Sequence, residues 1–179
     1  MPTVQAFTTT SLGGFLNVLK NQCGVSQAYN PAGGGAVPHV AQFDAIWDTG
    51  ATNSCISDNA INACGLVPIG MAQVHGAHGV STEPVFLVNI YLPNNVSFTG
   101  VRVTRATLSG AEILIGMDII NMGDFAVTNQ GGVTKFSFRV PSIEHIDFVK
   151  NIQRPLVAHG GSKKFRKKRP KGPGGKGKR

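Results

Sequence analysis

No apolar run in this chain approaches the roughly 20 residues that a bilayer-spanning helix requires. The first residues, Met1 to Gly14, also lack the basic stretch followed by an apolar one that opens a secretory leader. Cysteine is scarce: Cys23, Cys55 and Cys64 are odd in number and sit at no spacing typical of a disulfide framework or a metal site. These absences predict a soluble, cytoplasmic protein with reduced thiols and no membrane partner. No Gly-Lys-Ser or Gly-Lys-Thr follows Pro31-Ala32-Gly33-Gly34-Gly35, so that glycine run is a flexible loop and not a phosphate cradle. Acidic residues are missing altogether from 161–179, where ten of the seventeen lysines and arginines gather. The remainder holds seven basic and nine acidic residues, so the formal charge of +8 is a property of the tail and the body carries −2.

What is present points to a mostly β protein of many short strands, and 179 residues suit one domain with extensions. Residues 1–37 form an N-terminal extension in which Phe15 to Leu19 and Val25 to Tyr29, separated by Lys20-Asn21-Gln22, suit a β-hairpin. A β domain is expected over 38–140. Within it, Val40 to Trp47 is a strand, and Ser57 caps a short helix, Asp58 to Cys64, that stops at Gly65. Val74 to Ser81 is a glycine-bearing hairpin, Val96 to Leu108 a strand pair or one long bent strand, and Phe125 to Val140 a hairpin turned at Asn129 to Gly132. Residues 141–160 make a short helical or extended connector, and 161–179 a basic tail too rich in Gly, Pro and Lys to bury a core, expected to be disordered. Ten positive charges give that tail salt-dependent, non-specific affinity for nucleic acid or an acidic partner. Phe165, its one aromatic, supplies no stacking platform.

The stretch with the clearest chemistry is Asp48-Thr49-Gly50, a carboxylate at the end of an apolar strand followed by a hydroxyl and a glycine. Peptide hydrolysis by carboxylates requires two of them, one acting as base on a water and the other donating a hydrogen bond to the carbonyl oxygen. At about 3 Å separation both cannot ionise, so they share one proton. This chain has a single Asp-Thr-Gly, and Asp44, Asp58, Asp118, Asp124 and Asp147 lack its strand-and-turn setting. A second copy of the chain, related by a two-fold axis, supplies the missing partner. Asp118 is read as an acid in the first turn of a helix, and Cys55 and Cys64 as small core residues. His75 and His78 lack a third ligand nearby and are assigned to solvent or substrate contact, so neither a metal nor a cofactor is expected.

Three segments in this order, Ile46-Trp47-Asp48-Thr49-Gly50-Ala51-Thr52, Val74 to Ser81 and Ile113-Leu114-Ile115-Gly116-Met117-Asp118, resemble the retropepsin-like aspartic proteases, the retroviral-type peptidases and their cellular and bacterial relatives. The resemblance spans roughly residues 38 to 140. It implies a closed, barrel-like β fold with one or two short helices, active as a homodimer on extended peptide or protein substrates. By the same resemblance Asp48 is the catalytic carboxylate, Thr49 braces the two loops across the dimer, and Gly50 and Ala51 let the backbone pack beneath. Leu114, Ile115 and Gly116 lie under the Asp48 turn as support. Gly76, Ala77, His78, Gly79, Val80 and Ser81 form a flap that closes over the substrate, and the Phe125 to Val140 hairpin helps to knit the dimer. The histidines in the flap and the length of chain before Pro38 depart from the minimal pattern.

Two functions follow as expectations. One is an aspartic endopeptidase whose water is activated between two Asp48 carboxylates. The alternative is a catalytically silent dimer that serves as a binding or scaffolding module, its basic tail engaging nucleic acid or an acidic partner.

Overall fold

The computed structural model describes residues 3–34, 36–76 and 79–153. Alternating burial along the strands shows how they pack. In β1 (Gln5–Thr10) Phe7 points inward; after β2 (Lys20–Gln27), β3 (Ala41–Trp47) turns Phe43, Ala45 and Trp47 to the core. This period of two is that of a strand with one buried face. In β2 four successive residues, Cys23 to Ser26, are buried, because neighbours cover both of its faces.

The chain continues through β4 (Cys55–Ile56), α1 (Asp58–Ala63), β5 (Gly70–Gly76), β6 (Gly79–Tyr91), β7 (Ser97–Arg105), β8 (Ile113–Ile115), α2 (Met117–Ile120), β9 (Asp124–Thr128) and β10 (Lys135–Val140). Ser57 caps α1, its hydroxyl accepting from the Ala60 N–H at 3.2 Å, and Gly65, at φ +59°, ends the turn. Seven strands form one sheet in the order β2-β3-β8-β4-β7-β6-β5, and β2 also pairs with β6 through Gly24↔Tyr91 to Gln27↔Val88. That extra pairing closes six strands into a ring and leaves β5 as an appended strand, so the fold is mostly β and closed, as expected from sequence. Closure pairs each of those six strands on both sides and leaves outer edges only at β5 and at β1 and β9 of the second sheet.

A second sheet, β1-β10-β9, is antiparallel throughout. Phe7, Phe136 and Phe138 from this sheet meet Trp47 of the ring in one aromatic cluster, with the Trp47 ring stacked on Phe125 at 5.4 Å and 8° and tilted against Phe138 at 5.1 Å. The two sheets therefore share one core.

Two expectations are corrected. The hairpin over residues 15–29 does not form, because Lys20–Gln27 is one strand held by β3 on one side and β6 on the other. The first 37 residues are not an appendage, since β1 and β2 are members of the two sheets. Of the two alternatives for Val96 to Leu108, the structure holds the single strand, β7, paired with β6 and β4.

The chain divides into two units, the first through Glu144 and the second from His145. In the second, α3 (Phe148–Gln153) begins at Asp147, whose carboxylate accepts from the Val149 N–H at 3.0 Å and the Lys150 N–H at 3.2 Å. The basic tail, 161–179, and the end of the connector lie outside the described residues.

The β9–β10 hairpin is fastened where Arg139 stands opposite Asp124. The Asp124 carboxylate accepts from the Ser142 hydroxyl at 2.5 Å, the Ile143 N–H at 3.1 Å and the Arg139 Nε at 2.8 Å. The Ser142 hydroxyl first, then the Ile143 N–H and the Arg139 guanidinium, pull its pKa from 3.8 to about 2. A folded-state pKa below the unfolded one contributes stability that is complete above the ordinary carboxylate value and lost as pH falls through the depressed one. Asp124→Asn is expected to lower the thermal midpoint at neutral pH and to flatten its fall between about pH 4 and pH 2, measured by circular dichroism melts across that range.

Candidate active site

Asp48 is the first residue after β3, and its position is set from both sides. On the strand side, Trp47 donates its backbone N–H to the Leu19 carbonyl at 3.0 Å and its indole Nε1 to Asn21 Oδ1 at 2.5 Å, while its ring is held in the aromatic cluster. On the loop side, Asp48 donates its own N–H to the Ile115 carbonyl at 3.0 Å, its carbonyl accepts from the Ala51 N–H at 3.3 Å, and its carboxylate Oδ1 accepts from the Gly50 N–H at 2.8 Å. The short side chain thus closes a turn on its own backbone, the role for which Asp is favoured in turns. The Asp48, Thr49 and Gly50 residues at the crest of this loop are exposed.

Support beneath the loop comes from β8 and the start of α2. Strand β8 pairs in parallel with β3 and antiparallel with β4, so it threads between the two strands that the Asp48 loop connects. Beyond it, Met117 donates to the Ala51 carbonyl at 2.8 Å and Asp118 to the Thr52 carbonyl at 3.2 Å. Gly116, buried between them, runs so close to the loop that an added Cβ would lie 2.6 Å from the Asn53 carbonyl carbon and 3.0 Å from the Ala51 oxygen. Only glycine permits that approach. Ser54, fully buried, finishes the brace: its hydroxyl donates to Asp118 Oδ1 at 2.8 Å and accepts from the Gly116 N–H at 3.0 Å, and its backbone N–H donates to Asp118 Oδ2 at 3.1 Å.

The structure therefore brings Asp48, Gly50 and Ala51 together with Ile115 and Gly116. Leu114, half-buried, lies one residue earlier on β8, where it stands opposite Ile46 and Cys55. Asp118 does stand in the first turn of a helix, and in addition it ties α2 to the Asp48 loop through Ser54. Those contacts leave it no freedom to act as a second catalytic carboxylate. The sequence gives no local sign of this brace, because Ser54 and Asp118 are 64 positions apart.

Facing the loop is the β5–β6 hairpin, with Val74 opposite Ser81, His75 opposite Val80 and Gly76 opposite Gly79. Ala77 and His78, expected at its tip, lie outside the described residues. A cavity of about 470 Å³ separates the hairpin from the Asp48 loop, lined by Gly50 to Asn53 on one side, Ala72 to His75 on the other, and Cys55 and Thr104 at the back. None of its lining residues is an Asp, Glu, Lys or Arg. A second cavity, about 320 Å³, lies against the hairpin residues Gly76, Gly79, Val80 and Ser81 and is bounded by Glu83 and Arg105, paired at 2.9 Å. The Ser81 hydroxyl first and the Arg105 guanidinium next hold the Glu83 carboxyl below its ordinary value.

Burial pushes the Cys55 thiol up, against a partial offset from the Thr104 hydroxyl, and the carboxylates of Asp118 and Asp48 raise it further. A thiol so placed stays protonated at neutral pH and is a poor nucleophile. Among the described residues no group of three His, Cys, Asp or Glu side chains is gathered to hold a metal ion. The chemical resource at this site is therefore one exposed, firmly positioned carboxylate per chain beside a cavity lined without Asp, Glu, Lys or Arg.

Residues 37–122 match the family model described as gag-polyprotein putative aspartyl protease. None of the curated proteins matches the chain in sequence. Among solved structures, the chain is similar to a retropepsin-like aspartic protease from Rickettsia conorii, with a TM-score of 0.47 and 8% identity over 78% of this chain and 98% of that one. It is also similar to the protease of Simian Foamy Virus (mac), with a TM-score of 0.35 and 16% identity over 55% of this chain and 89% of that one.

Because the space at Gly116 is closed by backbone, Gly116→Ala is expected to destabilise the fold by about 1–3 kcal/mol, the usual cost of overpacking a tight site. Urea denaturation of the purified variant checks this.

Proposed function

We propose, on the premise that this chain belongs through residues 37–122 to the retropepsin-like aspartic protease family, that it is an aspartic endopeptidase acting as a homodimer. The observation that carries the reading is Asp48 itself: an exposed carboxylate on a loop braced from beneath, which faces a hairpin across a cavity of about 470 Å³. In the proposed dimer Asp48 meets the partner's Asp48 across a two-fold axis, and the pair holds one proton between them. The ionised member takes a proton from a water lodged between the two, and the protonated member donates a hydrogen bond to the scissile carbonyl oxygen as the water attacks. Neither carboxylate bonds covalently to the substrate.

The substrate is a peptide in extended form, lying between Gly50 to Asn53 and Ala72 to His75. The hairpin tip, Gly76 to Ser81, closes over it and excludes water, a gating role and not a chemical one. Thr49 braces the two loops across the axis, and Leu114, Ile115 and Gly116 hold each loop from beneath. The free thiols Cys23, Cys55 and Cys64 support a reducing, cytoplasmic setting. The tail, 161–179, adds weak and salt-sensitive affinity for polyanions by its charge.

Asp48→Asn is expected to abolish cleavage, by at least about a thousandfold, while leaving the fold and the dimer in place, since the side-chain oxygen that closes the turn with Gly50 is kept. A diverse peptide library assayed at acidic and neutral pH, with this variant as control, reads the loss. Cleavage that persists in the variant sinks the mechanism. Wild-type activity is also expected to fall more steeply than protein concentration on dilution near the dimer dissociation constant, because two chains build each site.

A further inference from the structure

A third cavity, of about 440 Å³, lies where the first part of β7 meets α2, lined by Ser97 to Arg102 on one side and by Asn53, Asp118, Ile119 and Met122 on the other. Asn53 is the one residue it shares with the cavity between the hairpin and the Asp48 loop. Along this wall β7 is bulged. Val88 stands opposite Val101 and Ile90 opposite Phe98, so Thr99 and Gly100 together face Asn89. Such an extra residue bends its strand and re-aims the side chains beside it. Asn89 holds the bulge: fully buried, it accepts from the Gly100 N–H at 2.9 Å and donates to the Tyr29 carbonyl at 3.0 Å. With its buried amide satisfied on both sides, the irregular wall is a fixed part of the fold.

The chemistry of the lining is uneven. Phe98, Val101, Ile119 and Met122 supply apolar surface, and Arg102 supplies a cation. Arg105 and Arg139 are each paired with carboxylates, whereas Arg102 is exposed and has no carboxylate or hydrogen-bond acceptor among the described residues. Asp118 is the acid in the lining, but its oxygens already accept from the Ser54 N–H, the Ser54 hydroxyl and the Ile119 N–H. A cavity of this volume, apolar with a few polar groups, falls within the range of small-molecule sites, about 300–1,000 Å³.

We propose that this cavity binds a small molecule with an apolar body and a carboxylate head, the carboxylate pairing with Arg102 and the body lying on Phe98, Val101, Ile119 and Met122. A guanidinium presents a planar fork that takes both oxygens of a carboxylate. A phosphate monoester carries up to about two charges, more than one arginine offsets, and Asp118 opposes it. A cationic head meets Arg102 and finds the Asp118 oxygens taken. The bound molecule lies against Asn53 and Asp118, and so touches the brace of the Asp48 loop without entering the space in front of the hairpin.

The test titrates phenylbutyrate into the full isotope-labelled chain, with phenylbutanol and phenylbutylamine as its neutral and cationic counterparts, and follows the backbone amide signals by NMR. Phenylbutyrate is expected to bind saturably, with a dissociation constant of about 1 mM or tighter, and to shift signals at 97–102 and 118–122. The alcohol and the amine are expected to bind at least about tenfold more weakly. Arg102→Gln is expected to weaken phenylbutyrate at least about tenfold, to leave the alcohol unaffected, and to keep the wild-type melting midpoint because the side chain is exposed. Absence of saturable binding, shifts centred elsewhere, equal affinity for the alcohol or the amine, or unchanged binding in Arg102→Gln each overturns the proposal. Should that variant lose its fold, Met122→Asp, which adds an acid to the exposed wall, repeats the measurement under the same criteria. No peptide is cut in this experiment, so its failure leaves the protease reading standing, and failure of that reading leaves this site untouched.

Discussion

Gly116 passes so near the Asp48 loop that a methyl group in place of its hydrogen would press on the Asn53 carbonyl carbon at 2.6 Å. Around that contact the geometry of the site is assembled. The Gly116 N–H reaches the Ser54 hydroxyl, the hydroxyl reaches Asp118, and the next two N–H groups along the chain satisfy the carbonyls of Ala51 and Thr52. A surface loop with this many of its polar groups paired from below has few alternative conformations left, and its crest can present a carboxylate without spending binding energy to arrange it. Ser54 is buried completely and its hydroxyl is used both as donor and as acceptor, so the network holds no unsatisfied partner of its own.

The second support is hydrophobic. Trp47 belongs to the ring of strands but is packed by Phe7, Phe136 and Phe138 from the other sheet, and it stacks on Phe125. The residue immediately before Asp48 is thus the place where the two sheets are joined. Large aromatic rings in one cluster contribute both buried area and preferred ring geometry, which fixes the direction in which the strand leaves the core.

Much of this was legible in the sequence where the signal is local. Ala41 to Trp47 alternates, Ser57 and Gly65 punctuate α1, and Asn129 to Gly132 separates two strands whose inward phenylalanines fall two apart. The turn at Asp48 is likewise local, because an Asp followed two residues later by Gly can close on the Gly N–H. What was not legible depends on distant partners. Phe15 to Leu19 has the composition of a strand, yet Thr134 and Trp47 capture its backbone and leave it no neighbour to pair with along its length. Residues 20–27 look like the turn and second arm of a hairpin until β6, some 65 residues further on, takes one of their sides. Asp118 looks like a helix-start acid because its tie to Ser54 has no trace in spacing.

The pairing of β1 with β10 has a consequence for how the molecule comes into being on the ribosome. Gln5 waits for Val140 and Thr10 for Lys135, and the ring of strands waits for residues 88–91 to reach β2. Contacts that span nearly the whole domain are slow to form, since the entropy of closing so long a loop is lost before the contact repays it. Synthesis of the body must therefore run almost to its final strand before Phe7, Phe136 and Phe138 can enclose Trp47. A chain that stops short of β10 lacks Phe136 and Phe138 around Trp47, so the residue before Asp48 acquires its packed setting late, when translation of the β body is nearly complete.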